Sequence, residues 1–139
     1  MRLRKIGTAA GVVMSAMAVA ALTSGTAHAA TYSVLSGYSS PGGYGRAEVS
    51  MSGGSYKLVA CDLGTADGNR AVASIWNNST GFYDYRHAAN GSGVCVTEGW
   101  EYLPSPTPGT YYLEICLRNG AGGADFACRT TSFSYNGLG

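Results

Sequence analysis

The chain has 139 residues, only 12% of them charged, and its formal net charge is +1. Residues 1–29 contain three of the nine basic residues and none of the eight acidic ones, so the remainder carries a formal charge of −2. Six scattered cations do not form the basic patch that nucleic acid or an anionic membrane requires. We therefore expect neither as a partner, and the length predicts one domain.

The N-terminus has the three parts of a secretory signal peptide. Three basic residues within the first five positions precede an uncharged, mostly apolar run over residues 6–22, and Ala27-His28-Ala29 then supplies small residues at a cleavage site. Glycines and polar residues interrupt the run, which fits a retained membrane helix less well. We predict cleavage after Ala29 and a secreted, extracellular domain over residues 30–139.

Four cysteines lie in the predicted mature domain: Cys61, Cys95, Cys116 and Cys128. An even number of cysteines in an exported chain predicts two disulfides, because thiols are oxidised outside the cytoplasm.

Short apolar or aromatic runs alternate with turn residues along the domain, and no segment shows sustained helical periodicity. The eight predicted strands are residues 31–37, 45–51, 55–63, 70–77, 82–87, 94–98, 110–118 and 125–135. Three prolines between residues 104 and 108 predict an extended crossover between two sheets. The fold class is therefore all-β, a small antiparallel sandwich of seven or eight strands with immunoglobulin-like or Greek-key topology.

The last two predicted strands can be aligned residue by residue around a turn centred on Gly122. The alignment opposes Cys116 to Cys128 on a polar face. On the other, apolar face it opposes Tyr111 to Phe133, Leu113 to Thr131, Ile115 to Arg129 and Leu117 to Ala127. This predicts a Cys116–Cys128 disulfide and, by elimination, a Cys61–Cys95 disulfide.

No pattern of catalytic residues stands out, so we predict no catalytic residue and no enzymatic activity. His87 is the only histidine of the mature domain, and it lies outside any nucleophile-elbow motif. We expect the acidic residues to be solvated at turns and on outer faces. Glu98 and Glu101, on either side of Gly99-Trp100, form the one acidic and aromatic cluster that a small glycosidase would use.

We predict no metal and no cofactor. Residues 62–69 contain carboxylates, an amide and glycines that loosely resemble a calcium loop, but the full ligand set is missing. A tight turn at Asp67-Gly68 explains the same residues. We expect no zinc site, because the cysteines are far apart in the sequence and the mature domain has one histidine.

Aromatic residues give the only positive indication of function. The candidate binding residues are Trp76, Tyr83, Tyr85, Trp100 and Tyr102. Because strand residues alternate between faces, Tyr83 and Tyr85 are expected on one face, with Phe82 and Asp84 on the other. Exposed rings of this kind stack on sugars or anchor protein partners.

The chain resembles small secreted proteins of Streptomyces-like actinomycetes, a group of unassigned function. The resembling elements include Val59-Ala60-Cys61-Asp62, Gly93-Val94-Cys95, Leu113-Glu114-Ile115-Cys116 and Arg118-Asn119-Gly120. The resemblance implies a compact β fold with two disulfides, and it carries over no catalytic residue.

These observations predict a secreted, non-enzymatic, monomeric protein that binds a carbohydrate or another cell-surface partner. The alternative is an inhibitor of an extracellular hydrolase, which would present the loop over residues 103–110 as a rigid, disulfide-held segment. A structural role in the cell envelope is a third possibility.

Overall fold

The structure is a computed structural model that describes residues 29–89 and 93–138. Residues 1–28 of the predicted signal peptide, and the turn at Asn90-Gly91, lie outside the described residues. Within the described ranges, no helix is long and apolar enough to cross a membrane.

In these described ranges, nine antiparallel strands form two sheets. They are β1 (Ala30–Leu35), β2 (Gly43–Ser52), β3 (Ser55–Gly64), β4 (Asn69–Asn77), β5 (Phe82–Ala88), β6 (Val94–Thr97), β7 (Glu101–Tyr102), β8 (Gly109–Asn119) and β9 (Asp125–Tyr135). Sheet A has the order β1-β2-β3-β6, with the short β7 also paired to β3, and sheet B has the order β5-β4-β8-β9. The predicted all-β sandwich is confirmed, and all eight predicted strands are present.

The connections between strands follow a Greek-key pattern. After β3 the chain crosses to sheet B, forms the β4–β5 hairpin and returns so that β6 pairs with β3. An immunoglobulin sheet pairs its second strand with its fifth, which are also three strands apart along the chain. The proline-containing segment after Tyr102 leads from β7 in sheet A to β8 in sheet B, which confirms the predicted crossover.

The core lies between the two sheets and is built from every second residue of their central strands. Its members include Val49, Met51, Tyr56, Leu58, Ile75, Tyr111, Leu113 and Ile115, all buried. At one point the sheets approach so closely that only glycine fits. A Cβ on Gly45 would lie 2.9 Å from Cγ1 of Ile115 and 3.0 Å from Cβ of Ala71.

Both predicted disulfides are confirmed. Cys61 and Cys95 are register partners of β3 and β6, with Cα atoms 4.0 Å apart. Cys116 joins Cys128 between β8 and β9.

One predicted pair of the last hairpin is wrong. The register holds from Tyr111–Phe133 to Ile115–Arg129 and then shifts, so Leu117 faces Phe126 and not Ala127. The cause is a β-bulge, in which two residues of β9 oppose Cys116. Ala127 has a positive φ of 52°, and its carbonyl accepts a hydrogen bond from the Gly37 amide at 2.8 Å.

We expect the two disulfides to contribute unequally to stability. Their sequence separations are 34 residues for Cys61–Cys95 and 12 for Cys116–Cys128. Loop-closure entropy then gives about 4 and about 3 kcal/mol, respectively. In urea unfolding, a Cys61→Ala/Cys95→Ala variant should be less stable than Cys116→Ala/Cys128→Ala. The reverse order would contradict the loop-entropy explanation.

Candidate functional site

Tyr83 and Tyr85 point outward from sheet B because their neighbours in β5 point inward. Arg86 is only 7% exposed, whereas Tyr83 is 60% and Tyr85 is 52% exposed. Phe82, which neighbours Tyr83 in sequence, packs against the core. The predicted alternation in this strand is confirmed.

Strand pairing places further aromatic and polar residues beside these tyrosines. Trp76 is the register partner of Tyr83 on one side and of Tyr112 on the other, so three rings from three adjacent strands form one row. In the next row Ser74 lies between Tyr85 and Glu114. We call the surface formed by these residues the aromatic face: Ser74, Trp76, Tyr83, Tyr85, Tyr112 and Glu114.

Contacts within the aromatic face hold its side chains in place. The Trp76 and Tyr112 rings are stacked, with centroids 5.4 Å apart and planes 13° from parallel. The Tyr83 and Tyr85 centroids are 6.0 Å apart, and the Tyr83 hydroxyl lies 3.3 Å from Oγ of Ser74. A surface already ordered in this way loses less conformational entropy when a ligand binds.

A shallow depression of about 520 Å³ opens on this face beside the turn between β4 and β5. Its lining includes Trp76, Asn78, Tyr83 and Glu114. The turn is ordered by Asn77, whose Oδ1 accepts a hydrogen bond from the Ser79 amide at 2.9 Å. The volume falls within the range of small-ligand sites, so a sugar ring can be accommodated against the aromatic residues.

The far end of the same surface, beyond Tyr85, contains His87 and Arg118, and Arg118 is paired with Asp125. His87 lies two residues along β5 from Tyr85, on the same face of the strand. It lines a cavity of about 130 Å³ with Tyr83, Tyr85, Val72 and Arg118. Burial lowers the pKa of His87, and the positive charges of Arg118 and Arg70 lower it further, against the opposing charge of Asp125. Burial and the two arginines therefore disfavour the protonated form of His87.

Trp100 and Tyr102 lie on the opposite side of the sandwich. Tyr102 is the register partner of Ser55 in sheet A and is 89% exposed. Trp100 is half-exposed, and Nζ of Lys57 lies 5.7 Å from its ring centroid. The five aromatic residues predicted from the sequence therefore do not form one surface. Three of them belong to the aromatic face, which Tyr112 extends.

The expectation that the acidic residues are solvated at turns and on outer faces is wrong for those beside Arg86. Nη1 of Arg86 lies 2.7 Å from Oδ1 of Asp84, and Nη2 contacts Glu101. The Tyr56 hydroxyl lies 2.7 Å from Oδ2 of Asp84 and 2.6 Å from Oε2 of Glu101. These carboxylates turn inward because Arg86 is buried and needs counter-ions.

Tyr56 and Arg86 are buried at the centre of this cluster, whereas the side chain of Glu98 is 70% exposed. Tyr56 is 3% exposed, and burial together with its hydrogen bonds to Glu101 and Asp84 raises its pKa above the usual range. Glu98 also lies 3.3 Å from Nη2 of Arg86. Glu98 and Glu101 thus act as counter-ions to one arginine, and the arrangement does not favour the glycosidase hypothesis.

Residues 62–69, which loosely resemble a calcium loop, contain the predicted turn at Asp67-Gly68. Oδ1 of Asp67 accepts a hydrogen bond from the Asn69 amide at 2.8 Å. Burial acts to raise the pKa of Asp67, but hydrogen bonds from Ser39 and Asn69 outweigh it and lower that pKa. In the described part of the chain, no group of three His, Cys, Asp or Glu side chains is placed to hold a metal ion.

The loop considered for the inhibitor hypothesis is anchored without a disulfide. Leu103 is buried and its amide bonds to the Gly54 carbonyl at 2.9 Å. The Tyr111 hydroxyl donates to the Thr107 carbonyl at 2.6 Å. The expected disulfide-held loop is therefore wrong, since both disulfides lie within the sheets.

We expect loss of Arg86 to destabilise the protein far more than loss of a surface arginine. An Arg86→Met variant leaves the carboxylates of Asp84 and Glu101 half-buried without a cation, which costs about 3–5 kcal/mol. Arg118→Met breaks an exposed pair with Asp125 and should cost at most about 1 kcal/mol. Urea unfolding of both variants measures the difference, and similar losses would contradict a stabilising role for the cluster.

No family model matches the chain. No curated protein matches it either. Among solved structures, the chain is similar to the crystal structure of an endonuclease/exonuclease/phosphatase from Beutenbergia cavernae DSM 12333, with 26% identity over 75% of this chain and a TM-score of 0.49. The chain spans about a quarter of that protein, since the match covers 27% of its length.

Proposed function

We propose that the chain is a secreted, non-enzymatic protein that binds a polysaccharide outside the cell on its aromatic face. The observation that carries the proposal is the row of Tyr83, Trp76 and Tyr112 across three adjacent strands, beside a depression that also exposes Glu114.

The chemistry of this surface suits sugar rings. A pyranose has an apolar face of C–H groups that packs on an aromatic ring, while its hydroxyls need polar partners at the edge. Trp76 and Tyr83 offer the rings, and Glu114 and Asn78 line the same depression with hydrogen-bonding groups. A predominantly apolar site with a few polar groups is typical of small-ligand binding.

The same residues favour binding over hydrolysis. Hydrolysis of a glycosidic bond uses a pair of carboxyl groups on the two sides of the bond. The aromatic face has a single carboxylate, Glu114, and its Oε2 already accepts a hydrogen bond from Thr130 at 2.8 Å. These residues can therefore orient a sugar but do not form an acid–base pair.

The two disulfides are consistent with the proposed location, because such bonds persist in oxidising compartments. The signal-peptide pattern of residues 1–29 supports the same location.

The proposal predicts that insoluble polysaccharide removes the oxidised mature protein from solution. Chitin, cellulose and peptidoglycan are the test polymers. Tyr83→Ala should lose retention because it removes an exposed ring, and Trp76→Ala should lose it because it removes the centre of the row. The measurement is the protein remaining in the supernatant after pelleting each polymer.

The opposite face provides matched controls. Tyr102→Ala and Trp100→Ala are the same substitutions on the far side of the sandwich, and they should leave retention unchanged. Retention that survives Tyr83→Ala, or that Tyr102→Ala abolishes, would contradict the assignment to the aromatic face. Absence of retention on all three polymers, together with inhibition of a protease or amylase at stoichiometric concentration, would favour the inhibitor hypothesis.

A further inference from the structure

We infer that the polysaccharide bound on the aromatic face carries free amino groups, as a polymer of glucosamine does, and that Glu114 forms an ion pair with one of them. This inference rests on the proposed function and specifies the ligand class of the same surface. A glucosamine unit combines an apolar ring face, which aromatic side chains bind, with a protonated amine at the rim of the ring.

The depression on the aromatic face contains one carboxylate and no basic side chain. Glu114 is the only Asp or Glu among the described residues that line it, and none of those residues is Lys, Arg or His. Glu114 is half-buried, and its Oε2 accepts a hydrogen bond from the neutral hydroxyl of Thr130 at 2.8 Å. No ion pair in the described part of the chain includes Glu114. The depression therefore contains a negative charge without a counter-ion.

The basic residues nearest to this face do not supply that counter-ion. Arg118 lies four residues from Glu114 along β8, about 13 Å, which exceeds the screening length of about 8 Å at physiological ionic strength. Its guanidinium is already paired with an aspartate of β9. Arg70 is opposite Arg118 and lines a different cavity together with two aspartates. Burial and these two arginines lower the pKa of His87, and Arg129 is opposite a core-facing residue of β8, on the other side of the sheet.

The rings around Glu114 favour a cation for a second reason. Trp76 is the diagonal neighbour of Glu114 across β4 and β8, and Tyr83 lines the same depression as both. The faces of Trp and Tyr rings attract an ammonium group through cation–π interactions. A protonated amine at this position therefore interacts favourably with the ring faces and with the carboxylate. A sugar carboxylate at the same position would be repelled by Glu114.

The inference distinguishes a free amine from its acetylated form. An N-acetylated sugar presents the same ring face to Trp76 and Tyr83, but its amide has no charge to pair with Glu114. The surface should therefore prefer the polymer with free amines, and the preference should depend on the carboxylate of Glu114.

The test is isothermal titration calorimetry of the oxidised mature protein with two soluble hexasaccharides of the same backbone. One is the hexamer of glucosamine, and the other is the fully N-acetylated hexamer. At a pH at which the amines are protonated, the glucosamine hexamer should bind more tightly. Added salt should reduce the difference, because it screens charges that are accessible to solvent.

Glu114→Gln keeps the size of the side chain and removes its charge. It should weaken binding of the glucosamine hexamer by about two- to fivefold, the usual size of a solvent-accessible ion pair. Binding of the acetylated hexamer should not change. Tyr83→Ala should weaken binding of both hexamers, since the ring contact does not require an amine.

The matched control is Glu48→Gln, which removes the same charge from the opposite side of the sandwich. Glu48 is half-buried in β2, and its neighbours in sequence, Ala47 and Val49, face the core, so it points outward from sheet A. This variant should bind both hexamers as the unmodified protein does. Its result separates a contact at the aromatic face from a general attraction between an acidic protein and a cationic sugar.

Three results would overturn the inference: a glucosamine hexamer that binds no more tightly than the acetylated one, an equal loss for both hexamers in Glu114→Gln, or an equal loss in Glu114→Gln and Glu48→Gln. Each of them leaves the proposed function standing if insoluble polymers still retain the protein through Tyr83. Failure of the proposed function is seen separately, as retention that is absent or that survives Tyr83→Ala.

Discussion

The ion cluster around Arg86 determines how the outer surface of sheet B is built. Arg86 and Asp84 turn inward from β5, and Glu101 of β7 joins them from sheet A, so the cluster links the two sheets at one side of the sandwich. Because side chains alternate along a strand, these inward contacts place Tyr83 and Tyr85 outward. A shift of one residue would bury the tyrosines and expose the arginine, so the register of β5 sets both the core and the binding surface.

Much of the fold is predictable because its strands repeat with a period of two and end at marked turns. The last hairpin shows this well, since a turn centred on Gly122 and the alternation of its strands together give the Cys116–Cys128 disulfide. Two features, strand β7 and the bulge at Ala127, cannot be predicted in this way. The two residues of β7 are too few to show a period, and Ala127 is not a residue type that marks positive φ, so the bulge has no local signal.

The binding surface is predictable only in part, for a different reason. Alternation within β5 groups Tyr83 with Tyr85, but their row with Trp76 and Tyr112 depends on which strands lie side by side. The pairing of β4 with β8 joins segments that are far apart in sequence, and periodicity carries no information about it. The inward position of Arg86 cannot be predicted either, because the sequence does not show that Glu101, in the other sheet, forms an ion pair with it.

The two tryptophans of the chain allow a direct test of which face binds sugar, because Trp76 lies on the aromatic face and Trp100 on the opposite side. The measurement is the NMR resonance of each indole Nε1–H in the ¹⁵N-labelled protein during titration with soluble oligosaccharides of the polymer that retains it. Binding on the aromatic face shifts the Trp76 resonance and leaves that of Trp100 in place. Movement of the Trp100 resonance alone, or of neither, would contradict the account.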